Sequence, residues 1–205
     1  MRIVLFHQTF STPNGAWSTR PYDLAQYWVA QGCDVTVVTS ASIKSDIKSS
    51  KLLETRYIDG IRLKIINAVE DNKKPKFKRI LTYLQYTLYS CWYALTLPAD
   101  VVIVSSGPIT IGLAAIIARY IKKRKLVFEV RDIWPDIAIV MGYLNNKFQQ
   151  NFFYFLEKRC YLAADLIVVL SSGMKQNIQN RFGLRNIVVI SNSSNNELFD
   201  EDINI

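Results

Sequence analysis

The chain has 205 residues, half of them hydrophobic, and carries 25 Lys and Arg against 17 Asp and Glu for a net charge of +8. That length suits one domain at roughly 100–200 residues per domain, and the apolar content argues against global disorder. The positive balance points to an anionic partner, while three scattered cysteines, Cys33, Cys91 and Cys160, lack the spacing of a disulfide framework or a zinc site and fit a reduced, cytosolic setting.

Arg2 to Phe6 is a β-branched and aromatic run that predicts a first strand. A polar loop, His7 to Arg20, follows, and Pro21 opens a helix whose apolar positions are Leu24, Ala25, Trp28 and Val29, with Gly32 as its stop. Val35 to Thr39 is a second strand, and residues 40–56, rich in Ser and Lys, predict a mobile loop. Asp59-Gly60 between apolar residues predicts a hairpin. A basic run from Lys73 to Arg79 leads into a helix over about 77–97. A strand over 101–104, a helix over 109–120 and a strand over 127–130 come next. The pattern closes with a helix over 147–163, a strand over 166–170, a helix capped by Ser171 or Ser172 and stopped by Gly183, and a strand over 187–190. Strands alternating with helices imply an α/β fold, a Rossmann-like parallel sheet with helices on both faces. We expect one domain over 1–190 and a polar tail or linker over 191–205.

The chemistry is expected at the carboxyl ends of the strands, where open α/β sheets bind ligands. Leu126 to Val130 runs straight into Arg131-Asp132-Ile133-Trp134-Pro135-Asp136, a charged and aromatic cluster that core packing does not require. Glu129 inside that strand is a second oddity. Gly15 lies in the loop after the first strand, where backbone amides and a helix N-terminus can hold an anion. The dinucleotide fingerprint GxGxxG and the ribose-gripping acid after strand two are absent, which weighs against a nicotinamide enzyme. Arg20 opens a helix, where the dipole disfavours a cation, unless it contacts a phosphate or carboxylate. His7, the one histidine, is either a base or substrate contact or a hydrogen-bonded structural residue, and it cannot build a metal site alone. Ser105-Ser106-Gly107-Pro108 offers hydroxyls to a ligand or forms a plain capped turn.

The uncharged stretch Ile80 to Ala99 admits three readings: a core helix, a membrane span, or a surface helix at an anionic membrane interface together with the basic residues before it. Lys122 to Lys125 reads as a solvated loop. No nucleic-acid-binding signature appears, so no nucleic-acid partner is expected.

Gly15 and Arg20 after the first strand, the Ala30–Thr39 segment, Ser105-Ser106-Gly107-Pro108, and Glu129 through Pro135 stand in an order that resembles the N-terminal half of glycosyltransferase family 4, in its bacterial surface-polysaccharide branch. The resemblance covers nearly the whole chain. It implies one half of a GT-B fold, with no metal and no cofactor, that transfers a sugar from a nucleotide-sugar donor with retention. It implies a glycan or lipid-linked acceptor bound by this half and a C-terminal donor domain supplied in cis or by a partner chain, without which the chain is expected to be inactive. The enzyme would be cytoplasmic, or peripheral on the inner face of the cell membrane through residues 73–97. By position, Asp132 is the expected catalytic acid or acceptor ligand, and Gly15, Arg20, Ser106, Arg131 and Trp134 are expected to touch substrate. Asn14-Gly15 stands where the family often has two glycines, and Arg131 where a histidine often precedes the acid. The alternative expectation is a non-catalytic module that binds anionic lipid or a protein partner.

Overall fold

A computed structural model describes residues 1–43, 45–70 and 75–192. The chain order is β1 (Arg2–Thr9), α1 (Arg20–Ala30), β2 (Asp34–Ser42), β3 (Leu53–Ile58), β4 (Ile61–Glu70), α2 (Lys76–Thr96), β5 (Val101–Ser105), α3 (Gly112–Ile116), β6 (Lys125–Val130), α4 (Asp136–Val140), α5 (Lys147–Ala163), β7 (Leu166–Val169), α6 (Ser172–Phe182) and β8 (Ile187–Val189). All eight strands form one sheet in the order β3-β4-β2-β1-β5-β6-β7-β8, parallel except for the β3–β4 hairpin at its edge. That hairpin turns on Asp59 and Gly60, both at positive φ, as an Asp-Gly turn matched to strand twist requires.

Alternation along each strand divides the core into two layers. Val4, Phe6, Val102, Val104, Leu126, Phe128 and Val130 face one way and pack against α2, α3, α5 and α6. Leu5, Val35, Val37, Ile61, Leu63 and Ile65 face the other way and pack against α1. Strands buried on both faces explain why these segments read as continuous apolar runs. The expected α/β architecture with helices on both faces is present, but unevenly. Among the described residues α1 is the single helix on its side, and it covers β1, β2 and β4.

Two local expectations needed revision. Residues 40–56 are not one loose loop: β3 begins at Leu53, and Asp46 anchors the segment before it by hydrogen bonds from Ser11 and Thr12. The helix expected over 109–120 is instead a 3-10 turn (Ile109–Ile111), α3 and a π turn (Ile117–Ile121), a change of pitch that lets Gly112 sit against Cys160, where a Cβ would come within 2.1 Å of its sulfur. The short α4 had no distinct signal. By contrast α5 matches its expected bounds, and α6 has Ser171 as N-cap and Gly183 at φ 68 as its stop.

Helix α2 turns its polar side to the core. Tyr86, Thr87, Ser90, Tyr93 and Ala94 are buried, whereas Leu81, Leu84, Leu88 and Trp92 are exposed, Leu88 by 60%. The buried tyrosines have work to do there, since the Tyr86 hydroxyl donates to the Val38 carbonyl at 3.1 Å. No helix among the described residues is long and apolar enough to cross a membrane.

Candidate functional site

Strand order reverses direction between β1 and β5: from β1 the chain proceeds outward to β2 on one side, while β5 begins the other half of the sheet. In open α/β sheets the crevice at such a switch point, outside the carboxyl ends of the strands, is where ligands bind. Here it is flanked by His7 and Gln8 from β1, Ser105 to Gly107 from β5, and Glu129 to Asp132 from β6.

Several of these residues are tied to one another. The Ser106 amide donates to the Glu129 carbonyl at 2.8 Å, and the Arg131 amide donates to Ser106 Oγ at 3.0 Å. Ser106 is therefore buried and ties the β5 and β6 loops together, so its hydroxyl is engaged rather than presented. An Arg131 terminal nitrogen lies 3.1 Å from His7 Nε2. Arginine has no acceptor, so it donates and Nε2 accepts. Burial, with the Arg131 guanidinium next, pushes His7 down to about 4, so the ring is neutral at physiological pH with its proton on Nδ1. Three buried polar atoms at this junction, His7 Nδ1, Gln8 Nε2 and Ser105 Oγ, have no hydrogen-bond partner among the described residues. Unsatisfied buried groups gathered at one place mark where a ligand or ordered water completes the bonding.

The two acids of the loop after β6 differ. Asp136 accepts from the Tyr154 hydroxyl at 2.5 Å and pairs with Arg181 at 3.5 Å, which also holds Glu157, so it braces α4, α5 and α6. Asp132 is exposed and has no hydrogen-bond or ion-pair partner among the described residues. Trp134, two residues on, is partly buried and packs its ring at a tilt against Phe153 of α5, with ring centres 6.3 Å apart, an inward role that fixes the base of the loop.

Arg20 and Gly15 take structural positions. Arg20 Nε and a terminal nitrogen contact the Glu129 carboxylate at 3.2 Å, and its terminal nitrogens donate to the carbonyls of Ser191 at 2.9 Å and Ile190 at 3.2 Å. This satisfies the buried Glu129 and ties the chain leaving β8 to the start of α1, so Arg20 spends its guanidinium inside the protein. Beside this pair lies an apolar cleft of about 230 Å³ between α1 and the sheet, lined by Leu5, Leu24, Trp28, Ile103, Val127 and Val168 among others. Gly15 sits where a Cβ would be 2.0 Å from Ser11 Oγ and 2.8 Å from Asp46 Oδ1, so the glycine is required by the closeness of two loops. The charged pair Glu129–Arg20 and the His7–Arg131 contact are partnerships that a linear reading could not pair. The in-strand glutamate and the lone histidine were the signals. Among the described residues no group of three potential metal-binding side chains occurs.

Residues 18–197 match the family described as Glycosyltransferase Family 4. A structure of sucrose-phosphate synthase from Thermosynechococcus elongatus shares 13% identity and a TM-score of 0.62, over 97% of this chain and 93% of that one. A structure described as trehalose-6-phosphate from E. coli bound with UDP-2-fluoro glucose shares 10% identity and a TM-score of 0.53, over 86% of this chain and 41% of that one. At these identities the likeness is one of fold. No curated protein sequence matches the chain.

Proposed function

The chain belongs to glycosyltransferase family 4, and we propose that it is the acceptor-binding domain of a retaining transferase that moves a sugar from a nucleotide sugar to a glycan or lipid-linked acceptor in cell-surface polysaccharide synthesis. A donor domain, in cis or in a partner chain, would supply the nucleotide-sugar pocket. One observation carries the reading: an exposed, unpaired carboxylate, Asp132, stands beside the partly free guanidinium of Arg131 at the switch-point crevice.

In this reading Asp132 orients the acceptor hydroxyl and takes its proton as the bond to the sugar forms and the bond from the sugar to the donor's phosphate breaks, the nucleotide departing with that bonding pair. Arg131 is held at one nitrogen by neutral His7, which leaves its other donors to bind a phosphate or sugar hydroxyl. A neutral histidine matters here, because a protonated one would repel the guanidinium. Arg20 positions the wall of the crevice through Glu129, and Gly15 permits the close packing of the loop after β1 on Ser11 and Asp46. Ser106 fixes the backbone of Arg131, and Trp134 supports the loop from below.

The test is transfer of labelled sugar from nucleotide-sugar donors to an extracted lipid-linked glycan fraction, by the chain alone and with a family 4 donor domain added in trans. Transfer that depends on Asp132 supports the assignment. Binding of acceptor without transfer under every donor condition would favour the non-catalytic module instead.

A further inference from the structure

The two faces of the sheet are covered unequally. Helix α1 packs over β1, β2 and β4, and beside it β5, β6 and β7 floor the cleft of about 230 Å³. Strand register explains the lining. Leu5, Ile103, Val127 and Leu166 stand opposite one another on four neighbouring strands and make an apolar floor. Leu24 and Trp28 of α1 make the wall. Two residues further along the strands, on the same face by alternation, come His7, Ser105 and Glu129. The cleft therefore has an apolar body and a polar end.

That polar end has bonding capacity left over. His7, Ser105 and Glu129 are each more than nine-tenths buried. Burial keeps His7 neutral, its Nε2 is taken by Arg131, and the proton on Nδ1 has no acceptor among the described residues. Ser105 Oγ is likewise without a partner among them. A buried donor and a buried hydroxyl left unpaired cost free energy until something bonds to them. One ligand hydroxyl satisfies both, because it accepts from Nδ1–H and donates to Ser105 Oγ. The charges nearby are already matched. Arg20 contacts Glu129 Oε1 through Nε and a terminal nitrogen, and its terminal nitrogens also donate to the carbonyls of Ile190 and Ser191. A carboxylate head would meet Glu129, an ammonium head would meet Arg20, and either would give up its hydration.

We propose that this cleft binds a small neutral alcohol with an aryl or short alkyl body, its hydroxyl seated at His7 and Ser105 and its body between Trp28 and the sheet. The size agrees. A dry cavity of about 150 Å³ admits benzene, so a cleft of about 230 Å³ accommodates a ring with a short side chain. Trp28 offers that ring an aromatic face. The cleft lies on the α1 face of the sheet, whereas Asp132 stands past the end of β6. The His7 ring stands between the two, with Nε2 on Arg131 and Nδ1 left for the alcohol. Binding needs no donor sugar and no transfer step, so the proposal does not rest on the transferase reading.

The experiment is calorimetric titration of the chain with 2-phenylethanol, ethylbenzene and phenylacetate, which share a body and differ in the head. 2-Phenylethanol is expected to bind about tenfold more tightly than ethylbenzene, the weight of one buried hydrogen bond. Phenylacetate should not bind measurably. Val127→Phe fills the cleft and should abolish binding of the alcohol. Ser105→Ala removes one hydroxyl and should lower the preference for alcohol over hydrocarbon to about threefold or less. Circular dichroism of each variant separates loss of the site from loss of the fold. If Val127→Phe does not fold, the smaller Ser105→Ala change decides by itself. The proposal is overturned if the parent binds neither alcohol nor hydrocarbon, or binds the two equally, or binds phenylacetate as tightly as the alcohol. Unchanged alcohol binding in a folded Val127→Phe, or a tenfold preference that survives Ser105→Ala, would overturn it as well.

Discussion

The loops that follow β1 and β6 leave the same edge of the sheet and carry similar chemistry: a carboxylate within reach, backbone amides and small polar residues. In the first, every group turns inward. Asp46 accepts from Ser11 Oγ, the Thr12 amide and Thr12 Oγ1, Gly15 closes the turn onto Thr12, and the carboxylate is held below its ordinary range because those hydrogen bonds outweigh the opposing effect of burial. In the second, Ser106, Asp136 and Trp134 brace the loop from inside, and Asp132 alone is left without a partner. The difference teaches that polarity at a strand's carboxyl end does not by itself mark a site. In the proposed reading, the mark is a polar group that the fold supports without satisfying.

The sharpest way to break this comparison is Asp132→Asn in the transferring enzyme. Sugar transfer should fall by about 100-fold or more, as loss of a general base does, while the melting temperature stays within about a degree of the parent, because nothing in the fold leans on that carboxylate. Asp136→Asn should show the opposite pairing, a lower melting temperature with transfer reduced in proportion to folded protein.

The next effect is a pH dependence. His7 titrates near 4 in the folded chain and at its ordinary value of about 6.5 when unfolded. Between those values the unfolded chain takes up a proton that the folded one refuses, so stability falls as pH drops from about 6.5 toward 4, by up to about 3 kcal/mol. Urea unfolding at pH 7 and pH 5 should show this slope, and His7→Gln should flatten it. A slope unchanged in the variant would place the titrating group elsewhere.

Smaller effects test the loop after β1. Gly15→Ala must push Ser11 and Asp46 aside and should destabilise by about 1–3 kcal/mol. Asp46→Asn keeps the shape but weakens charge-assisted hydrogen bonds, and should lose about 1–2 kcal/mol. Neither should alter transfer per folded molecule; a large loss of transfer would make this loop part of the site after all.

Much of the fold was legible in the chain. The hairpin at Asp59-Gly60, the bounds of α5, and the cap and stop of α6 follow from local rules, because turn conformation, helix capping and strand alternation are set by residues a few positions apart. The proposed acid was legible as a candidate too, since Asp132 stands two residues past the end of β6. Other partnerships were not legible, for a common reason. Arg20 reads as a contact for a phosphate or a carboxylate, and only the fold shows that the carboxylate is Glu129, more than a hundred positions away. Gly15 reads as a phosphate-loop glycine until Asp46 is seen against it. Which side of α2 meets the core is open until Tyr86 and Tyr93 are seen to fill that place.

By itself, then, the chain determined most of its elements and its parallel α/β class, because these rest on periodicity and on short-range backbone preference. Only the tertiary structure decided which charged residues are partnered and which face of α2 meets the core. Charge pairing and burial depend on groups brought together across the sheet, and no local pattern encodes which distant residue will arrive to satisfy them.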